Sequence, residues 1–321
     1  MRRVAAVDCG TNSLKLLVTD LDADSGVQHD VLRTLRIVRL GQGVDRTGQL
    51  APDAVDRTLQ AAADYAEQIT ALGVELDPAH VAIAATSATR DAANGEELVS
   101  GLWRHLGAQP RVLAGVDEAA TSYAGAVRGL AEPAQARLLL IDIGGGSTEL
   151  VRGQGPRVDA AGSADVGSVR LTERHLTDDP PTPDQIAAAT VDVDAALAAL
   201  GVPVDDVDLV VVVGGTGLTV AAHTLGLAAP DADGLHGSCL DATGVRASCA
   251  ALLTATVAER RAMDFMHPGR ADVIGGGALV LDRILGQVGS VEVLASTHDV
   301  LDGLAWSLLD PAACADQAGP P

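Results

Sequence analysis

One short pattern occurs twice in this chain, and it restricts the fold more than any other feature of the sequence. The two copies span Ala6–Leu16 and Leu140–Leu150. Each copy reads as an apolar strand that ends near an aspartate, a glycine turn with small hydroxyl or amide residues, and a second strand. A chain that repeats such a hairpin in each half is predicted to fold into two related layered α/β structures.

The composition of the two turns predicts phosphate binding, with ordinary hairpin turns as the alternative. A tip of this kind exposes several backbone N–H groups at once, and glycine lets the backbone approach a phosphate oxygen closely. Two tips facing each other across a cleft would hold a phosphate chain from both sides. The aspartates before the turns, Asp8 and Asp142, would then organise a hydrated Mg²⁺. The candidate phosphate-binding residues are Gly10, Thr11, Asn12, Ser13, Gly144, Gly145, Gly146 and Ser147.

Length and charge narrow the class of protein. A chain of 321 residues is long enough for two domains, and with only 2% aromatic residues its cores must be built mainly from Ala, Val and Leu. The formal net charge of −21 argues against a nucleic-acid partner. A polyanionic substrate would need a local basic site. Lys15, the only lysine, lies inside the first signature, and substrate contact and chance placement are both open for it.

The sequence also indicates where the protein works. Its N-terminus leads directly into a predicted strand, and no apolar run is long enough to cross a membrane, so we expect a cytoplasmic protein without a membrane partner. The four cysteines form no Cys-x-x-Cys pair, which favours buried thiols over a zinc site. His267 has no metal-ligand partner at a useful spacing and is interpreted as structural.

The apolar periodicity predicts an alternation of strands and helices in both halves. Arg33 and Arg39 would share one face of a strand, where a solvated edge is favoured over substrate contact. The predicted strands are 3–8, 14–21, 31–40, 81–85 and 209–213; the predicted helices are 52–73, 95–106, 184–200, 278–285 and one that begins at Gly115; the predicted loops are Thr86–Arg90 and Gly214–Gly217.

A set of ordered motifs now carries a family resemblance over roughly residues 3–305. The motifs are Asp8–Ser13, Thr86–Arg90, Gly115–Ala119, Asp142–Glu149, Gly214–Thr216 and Pro268–Gly277. In this order they resemble the Ppx/GppA family of exopolyphosphatases and guanosine pentaphosphate phosphatases, which share the fold of actin, Hsp70 and the sugar kinases. The chain looks like a short, actinobacterial-like member without the helical HD-type domain of longer relatives.

The resemblance implies an α/β fold of two actin-like (ASKHA, ribonuclease H-like) domains with an interdomain cleft. Each domain would hold a mixed five-stranded sheet. The expected domains are residues 1–120 and 121–300, with the hinge near 119–135. A C-terminal helix at about 301–315 would pack back on the first domain. Because family members are often dimers, a homodimer is also expected.

The same resemblance assigns roles to charged residues. Glu118 would be the general base that deprotonates water, and Glu149 would be a second catalytic carboxylate. Lys15, Arg90 and Arg270 would bind phosphate. Their alternatives are a solvated residue at a helix N-terminus for Glu118 and salt bridges for the others. Gly214–Gly217 would hold a guanosine or distal phosphates, or only close the sheet.

The function implied is Mg²⁺-dependent hydrolysis of terminal phosphoanhydride bonds, in inorganic polyphosphate, in guanosine pentaphosphate (giving the tetraphosphate), or in both. Two departures keep a non-catalytic polyphosphate or alarmone sensor as an alternative. Asp117 stands where the family has Glu, and Leu301 replaces the Arg of a Gly-Leu-Arg-Glu-Gly element that matches Asp299–Gly303. An ATP-dependent kinase of the same fold is a further alternative, which the context of Glu118 disfavours.

Overall fold

The chain divides into two compact units. The computed structural model describes residues 1–130, 136–229, 232–289 and 291–309. The first unit consists of Met1–Ala114 and the segment that begins at Val300, and the second consists of Gly115–Asp299. The first boundary therefore lies before Gly115 rather than after residue 120. The reason is that residues 115–128 form one helix, which packs as a whole on strands of the second unit.

Strands and helices alternate along both units. In chain order they are β1 (Arg2–Cys9), β2 (Ser13–Asp22), β3 (Val27–Ile37), α1 (Val44–Thr47), α2 (Pro52–Ala71), β4 (Val81–Ala85), α3 (Ser87–Asp91), α4 (Gly95–Leu106), β5 (Arg111–Val112), α5 (Gly115–Arg128), β6 (Arg137–Ile143), β7 (Thr148–Gln154), β8 (Arg157–Ala164), α6 (Ser168–Arg174), α7 (Pro183–Leu200), β9 (Leu209–Val213), α8 (Gly214–Leu225), α9 (Ala232–Leu235), β10 (Cys239–Asp241), α10 (Ala242–Thr254), α11 (Val257–Arg261), α12 (Ile274–Val288), β11 (Glu292–Ala295) and α13 (Val300–Ser307).

The first unit is built on a mixed sheet with the strand order β3-β2-β1-β4-β5. Strands β1, β2 and β3 are antiparallel, and β4 and β5 continue parallel to β1. Because β1 is central, both of its faces are buried, and its residues alternate between two cores. Ala5 and Val7 face the core that contains α2, whereas Val4 and Ala6 face the core that contains α13.

The second unit repeats this plan with one more strand. Its sheet order is β10-β11-β9-β6-β7-β8, with β6, β7 and β8 antiparallel and β9 and β11 parallel to β6. The prediction of five strands was wrong here, because the three-residue strand β10 pairs with β11 at the edge. Alternate residues of β6 again enter two cores: Leu139 and Ile141 pack with α8 and α12, and Leu140 packs with α5.

The predicted elements are largely confirmed, with corrections at α3, α8 and α12. Strands β4 and β9 and helix α4 have the predicted limits. Residues 87–91 form helix α3 instead of belonging to a loop. The predicted glycine loop at Gly214–Gly217 is the first turn of α8, because Gly214, with φ at +68°, turns the chain directly from strand into helix. Helix α12 similarly begins at Ile274 and includes the glycines before residue 278.

Helix α13 closes the first unit and holds a buried ion pair. Asp302 is fully buried and accepts hydrogen bonds from Arg33 and Gln28 of β3, while the indole of Trp306 donates to Gln28. The predicted edge is confirmed, since β3 is the outermost strand of its sheet, but Arg33 is only partly exposed there and pairs with the buried Asp302. Leu301 is also buried, in the core shared with β1. The part of the predicted C-terminal helix beyond 309 lies outside the described residues.

The cysteines follow the prediction in two places. Cys9 and Cys249 are buried free thiols, whereas Cys239 is exposed on the edge strand β10, and Cys314 lies outside the described residues.

No helix among the described residues combines the length and the apolar character that crossing a membrane requires.

Candidate active site

Both predicted hairpin turns close in the same way. The N–H of Gly10 donates to the carbonyl of Ser13 at 3.0 Å, and the N–H of Gly144 donates to the carbonyl of Ser147 at 3.0 Å. These two amides are thus used inside the turns. Within the described ranges, no hydrogen bond uses the amides of Asn12, Gly145 or Gly146, or that of Ser147.

A second segment holds the carbonyls of each turn from behind. In the first unit the carbonyl of Thr11 accepts from Gly41, and that of Asn12 accepts from Val38 and Arg39. Since the N–H and C=O of one trans peptide point in opposite directions, a carbonyl held from behind directs the next amide forward. The held carbonyl of Thr11 therefore aims the amide of Asn12 out of the turn.

In the second turn, the carbonyls of three successive peptides are held by hydrogen bonds in this way. The carbonyls of Gly144 and Gly145 accept from backbone amides at the start of α6, and Arg170 Nε donates to the carbonyl of Gly146 at 2.7 Å. The next amides, up to that of Ser147, consequently point away from α6. Three adjacent forward-pointing amides form a concave site that suits a phosphate oxygen.

A glycine backs each turn. A Cβ at Gly167 would lie 2.7 Å from the carbonyl of Gly145 and 2.8 Å from the amide nitrogen of Ser147, so only glycine fits behind the second turn. A Cβ at Gly41 would collide with the Cγ2 methyl of Thr11. Behind the first turn the limit is therefore a side chain, and behind the second it is the backbone.

The residue opposite each aspartate differs between the two hairpins. In the first, Asp8 pairs with Lys15 across the strands, and Lys15 Nζ lies 3.1 Å from Asp8 Oδ2. In the second, Asp142 pairs across the strands with Glu149, which is buried. Directly opposed residues have Cβ atoms about 4.5–5.5 Å apart, so the second hairpin holds two carboxylates side by side.

Helix α5 lies against these two carboxylates. Ser122 Oγ donates to Asp142 Oδ2 at 2.8 Å, and Ser163 Oγ of β8 donates to Glu149 Oε1 at 2.7 Å. Glu118 precedes Ser122 by one helical turn and therefore lies on the same face of α5. The predicted carboxylates of Asp142 and Glu149 are adjacent across the strands, and Glu118 lies on the face of α5 that carries the Ser122 contact to Asp142.

The first turn of α8 lies beside the Asp142 carboxylate. A Cβ at Gly214 would lie 2.5 Å from Asp142 Oδ1, so the backbone approaches the carboxylate closely. A Cβ at Gly215 would lie 2.7 Å from Arg270 Cζ, and Arg270 Nη1 donates to Thr219 Oγ1 at 3.0 Å. Burial lowers the pKa of Arg270 to about 10. Its guanidinium is charged at neutral pH and suited to a phosphate oxygen.

The remaining predicted residues lie near the first turn, within the first unit. Thr11 Oγ1 is 2.8 Å from Ser87 Oγ, which attaches α3 to the turn. Arg90 follows on α3; its Nη1 donates to the carbonyl of Leu113, and Asp91 lies at 3.8 Å.

Sequence reasoning missed the residues that support these groups. Ser122 could have been found from its position four residues after Glu118 on a predicted helix. Nothing local marks Ser163 or Gly41, because their partners are distant in sequence. The sequence shows no role for Gly167 or Arg170. Their role becomes clear only from the structure, in which both lie against the Gly144–Ser147 turn.

Comparison with known proteins identifies the family. The model of the Ppx/GppA phosphatase family matches residues 18–310. The chain belongs to the Ppx/GppA phosphatase family. Among similar proteins is exopolyphosphatase 2 of Mycobacterium tuberculosis, with 42% identity over 96% of this chain and 99% of that protein. A guanosine-5'-triphosphate,3'-diphosphate pyrophosphatase of Vibrio cholerae is 34% identical over 54% of this chain and 33% of its own.

The family also accounts for the fold. The crystal structure of an exopolyphosphatase-like protein superposes with a TM-score of 0.89 at 38% identity, covering 96% of this Ppx/GppA chain and 97% of the other. The predicted actin-like α/β fold and the predicted class of phosphoanhydride hydrolase are confirmed. Ppx/GppA phosphatases generally depend on a divalent metal ion.

Proposed function

We propose that this protein removes terminal phosphates from inorganic polyphosphate, and from guanosine pentaphosphate, by Mg²⁺-dependent hydrolysis. The observation that carries the proposal is the Asp142–Glu149 pair beside the Gly144–Ser147 turn, with Ser122 fixing to Asp142 the face of α5 on which Glu118 lies. Phosphoanhydride hydrolysis needs an anchored phosphoryl group, compensated charge and an aligned water molecule, and this grouping offers a residue for each.

The phosphoryl group would be anchored by backbone amides. In the second unit these are the amides of Gly145, Gly146 and Ser147, which the hydrogen bonds of α6 direct forward. Arg270 adds a cation from beside α8. In the first unit Asn12, with Thr11 and Ser13, would bind a further phosphate of the chain. Amides held by other hydrogen bonds lose little freedom when the anion binds, which favours binding.

Lys15 and Arg90 would contribute charge beside the first turn. Lys15 is held by Asp8, which both orients the ammonium group and limits its freedom. Arg90 is fixed through the carbonyl of Leu113. Both would interact with substrate phosphates as positive charges, and Arg90 can present a fork of N–H donors.

A divalent cation fits the second hairpin better than the first. Asp142 and Glu149 offer adjacent carboxylates, the ligand type that Mg²⁺ prefers, whereas Asp8 is already in an ion pair with Lys15. We therefore place the ion with Asp142 and Glu149 and give Asp8 the role of orienting Lys15. A bound Mg²⁺ would neutralise phosphate charge and polarise the phosphoryl group.

Glu118 would accept the proton of the attacking water. It is half-buried in the first turn of α5, and its helix is fixed to Asp142 through Ser122. A carboxylate can take the proton without adding positive charge, and a positioned general base contributes about 10²–10⁴ in rate. The proton passes from the water to a Glu118 carboxylate oxygen as the water oxygen bonds to phosphorus and the anhydride bond breaks.

Polyphosphate has the stronger support of the two substrates. Exopolyphosphatase 2 of Mycobacterium tuberculosis matches this chain along almost its full length, whereas the guanosine pyrophosphatase of Vibrio cholerae matches only part of it. A homodimer working in the cytoplasm is a further proposal that rests on the resemblance, and sedimentation of the purified chain tests the dimer.

The deciding experiment measures phosphate release from short and long polyphosphate and from guanosine pentaphosphate with Mg²⁺. We expect release by the wild type and a loss of about 10²–10⁴-fold in Glu118→Gln. Asp117→Asn is the matched control, because it removes the same charge from the neighbouring, exposed residue of α5. Substrate binding by calorimetry without any release would contradict hydrolysis and favour a sensor.

A further inference from the structure

Two serine hydroxyls support the carboxylate pair of the second hairpin. Ser122 Oγ donates to Asp142 Oδ2 at 2.8 Å, and Ser163 Oγ donates to Glu149 Oε1 at 2.7 Å. Ser122 and Glu149 are buried, and Asp142 is half-buried. A hydroxyl that donates to one oxygen of a carboxylate fixes the orientation of that carboxylate, so each serine limits the rotation of its partner.

The same two serines fix the helix that carries the proposed base. Ser122 attaches the second turn of α5 to β6 through Asp142. At the start of α5, a Cβ on Gly115 would overlap Ser163, with Ser163 Oγ at 2.8 Å, so the helix begins directly on that side chain. These two contacts, at Gly115 and Ser122, are seven residues apart, and together they fix the position of α5 along its axis and its rotation about that axis. Glu118 lies between them.

We propose that Ser122 and Ser163 are positioning residues that orient Asp142 and Glu149 for a divalent cation and set the place of Glu118. This inference rests on the proposed function. It concerns side chains outside the sequence motifs, and it assigns them an effect on metal affinity as well as on turnover. Hydrogen bonds of this kind to metal ligands typically change metal affinity about 10–100-fold.

The hydroxyl effect can be separated from packing. Ser163→Ala keeps the Cβ on which Gly115 lies and removes only the hydrogen bond to Glu149. Ser122→Thr keeps a hydroxyl that can donate to Asp142, whereas Ser122→Ala does not. Ser248 offers a matched control in the same unit: it is a buried serine that accepts a hydrogen bond from Thr224, away from both carboxylates.

The test measures Mn²⁺ affinity of the full chain by isothermal titration calorimetry, without substrate. We expect the affinity to fall about 10–100-fold in Ser122→Ala and in Ser163→Ala. Ser122→Thr should stay within about threefold of the wild type, and so should Ser248→Ala. At saturating Mn²⁺, the two alanine variants should lose kcat for phosphate release while KM changes little, because the anchoring amides are intact.

Some outcomes would overturn the inference. Mn²⁺ affinities within threefold of wild type in both alanine variants would do so, as would an equal loss in Ser248→Ala or no Mn²⁺ binding by the wild type. Should Ser122→Ala fail to fold, Ser163→Ala decides alone, since its packing is preserved. Failure of the proposed function is recognised separately, as absence of phosphate release by a wild type that binds Mn²⁺.

Discussion

The hairpins β1–β2 and β6–β7 share a backbone design and differ in charge. Both close with a 3.0 Å bond from the glycine amide to the serine carbonyl, and both have their carbonyls held from behind. Opposite the aspartate, however, the first hairpin carries Lys15 and the second carries Glu149. The first aspartate is thereby compensated within the protein, whereas the second adds to a negative site that suits a cation. One cross-strand residue thus separates the phosphate-binding role that we propose for the first hairpin from the metal-binding role that we propose for the second.

The two turns also differ in how they are supported. The carbonyl of Asn12 is held by two backbone amides, one of them from Arg39, whose φ of +52° is unusual for a residue other than glycine. The corresponding carbonyl of Gly146 is held by the side chain of Arg170. The support of the first turn is therefore backbone, and at Gly146 the support of the second turn depends on one side chain.

The largest effect is expected from making the second hairpin resemble the first. Glu149→Lys would pair a cation with Asp142, as Lys15 does with Asp8, and so occupy the proposed metal site. We expect kcat for phosphate release to fall about 10²–10³-fold, since the site would lose the ion that compensates phosphate charge in the transition state. Glu149→Gln controls for size. Activity within tenfold of the wild type would show that the carboxylate pair is not needed.

The next largest effect on activity is expected from a substitution of the glycine that lies behind the second turn. Gly167→Ala places a methyl group against the backbone of Gly145 and Ser147. No side-chain substitution can relieve a collision with backbone atoms, so the amides of the turn must move. We expect kcat/KM to fall about 10–100-fold as a result. The 1 Å-scale displacement that this loss requires should appear in a crystal structure of the variant. An unaltered kcat/KM would contradict the anchoring role of these amides.

The first turn should allow a rescue that the second does not. Gly41→Ala collides with the Thr11 methyl, and we expect a destabilisation of about 1–3 kcal/mol, typical of overpacking. Thr11→Ser removes that methyl and keeps the hydroxyl beside Ser87, so the double variant should recover most of the loss. Urea denaturation measures both. Equal stability of single and double variants would disprove the assigned collision.

Removal of Lys15 should act on stability and binding together. Lys15→Met leaves Asp8 buried without its cation, and we expect a loss of about 1–3 kcal/mol in the free energy of unfolding. Adding Asp8→Asn should restore much of this loss, because no charge is then left buried. The KM for polyphosphate should rise in both variants. A stable Lys15→Met protein would show that Asp8 is compensated elsewhere.

The smallest effect is expected at high pH. Because burial lowers the pKa of Arg270 to about 10, its charge is present below this pH and is lost above it. The KM for polyphosphate should then rise up to tenfold per pH unit above about 10. In Arg270→Met this component should be absent. The free energy of unfolding should change in the opposite direction. Burying the charged guanidinium destabilises the folded state below about pH 10, and this destabilisation declines as the pH rises and the group loses its charge.

Local features of the sequence predicted most of the fold and the two hairpins of the candidate site. The hairpins, Asp142 and the helix that carries Glu118 follow from periodicity and turn chemistry, which act over a few residues. The limits of β4, α4 and β9 follow for the same reason. The short strand β10 was missed because three residues carry no period, and pairing with β11 alone defines it.

The supporting contacts could not be predicted, because they depend on packing between distant segments. Ser163 and Glu149 meet only once β7 and β8 pair, and Gly167 shows its purpose only when the second turn lies against it. Arg33 was assigned to a solvent edge because its partner, Asp302, lies at the other end of the chain. Spacing within one element contains no information about such partners.

The position of α13 has a consequence for how the protein is made. On the ribosome, β1 emerges early, but Leu301 and Leu304, which cover one face of its sheet, follow only after the whole of Gly115–Asp299 has been synthesised. At about 5–20 residues per second, that interval is about 10–40 s. During this time the second unit can fold while an apolar face of the first stays uncovered. In the nascent chain, this face of the β1 sheet is therefore accessible to chaperones and prone to aggregation until α13 has been synthesised.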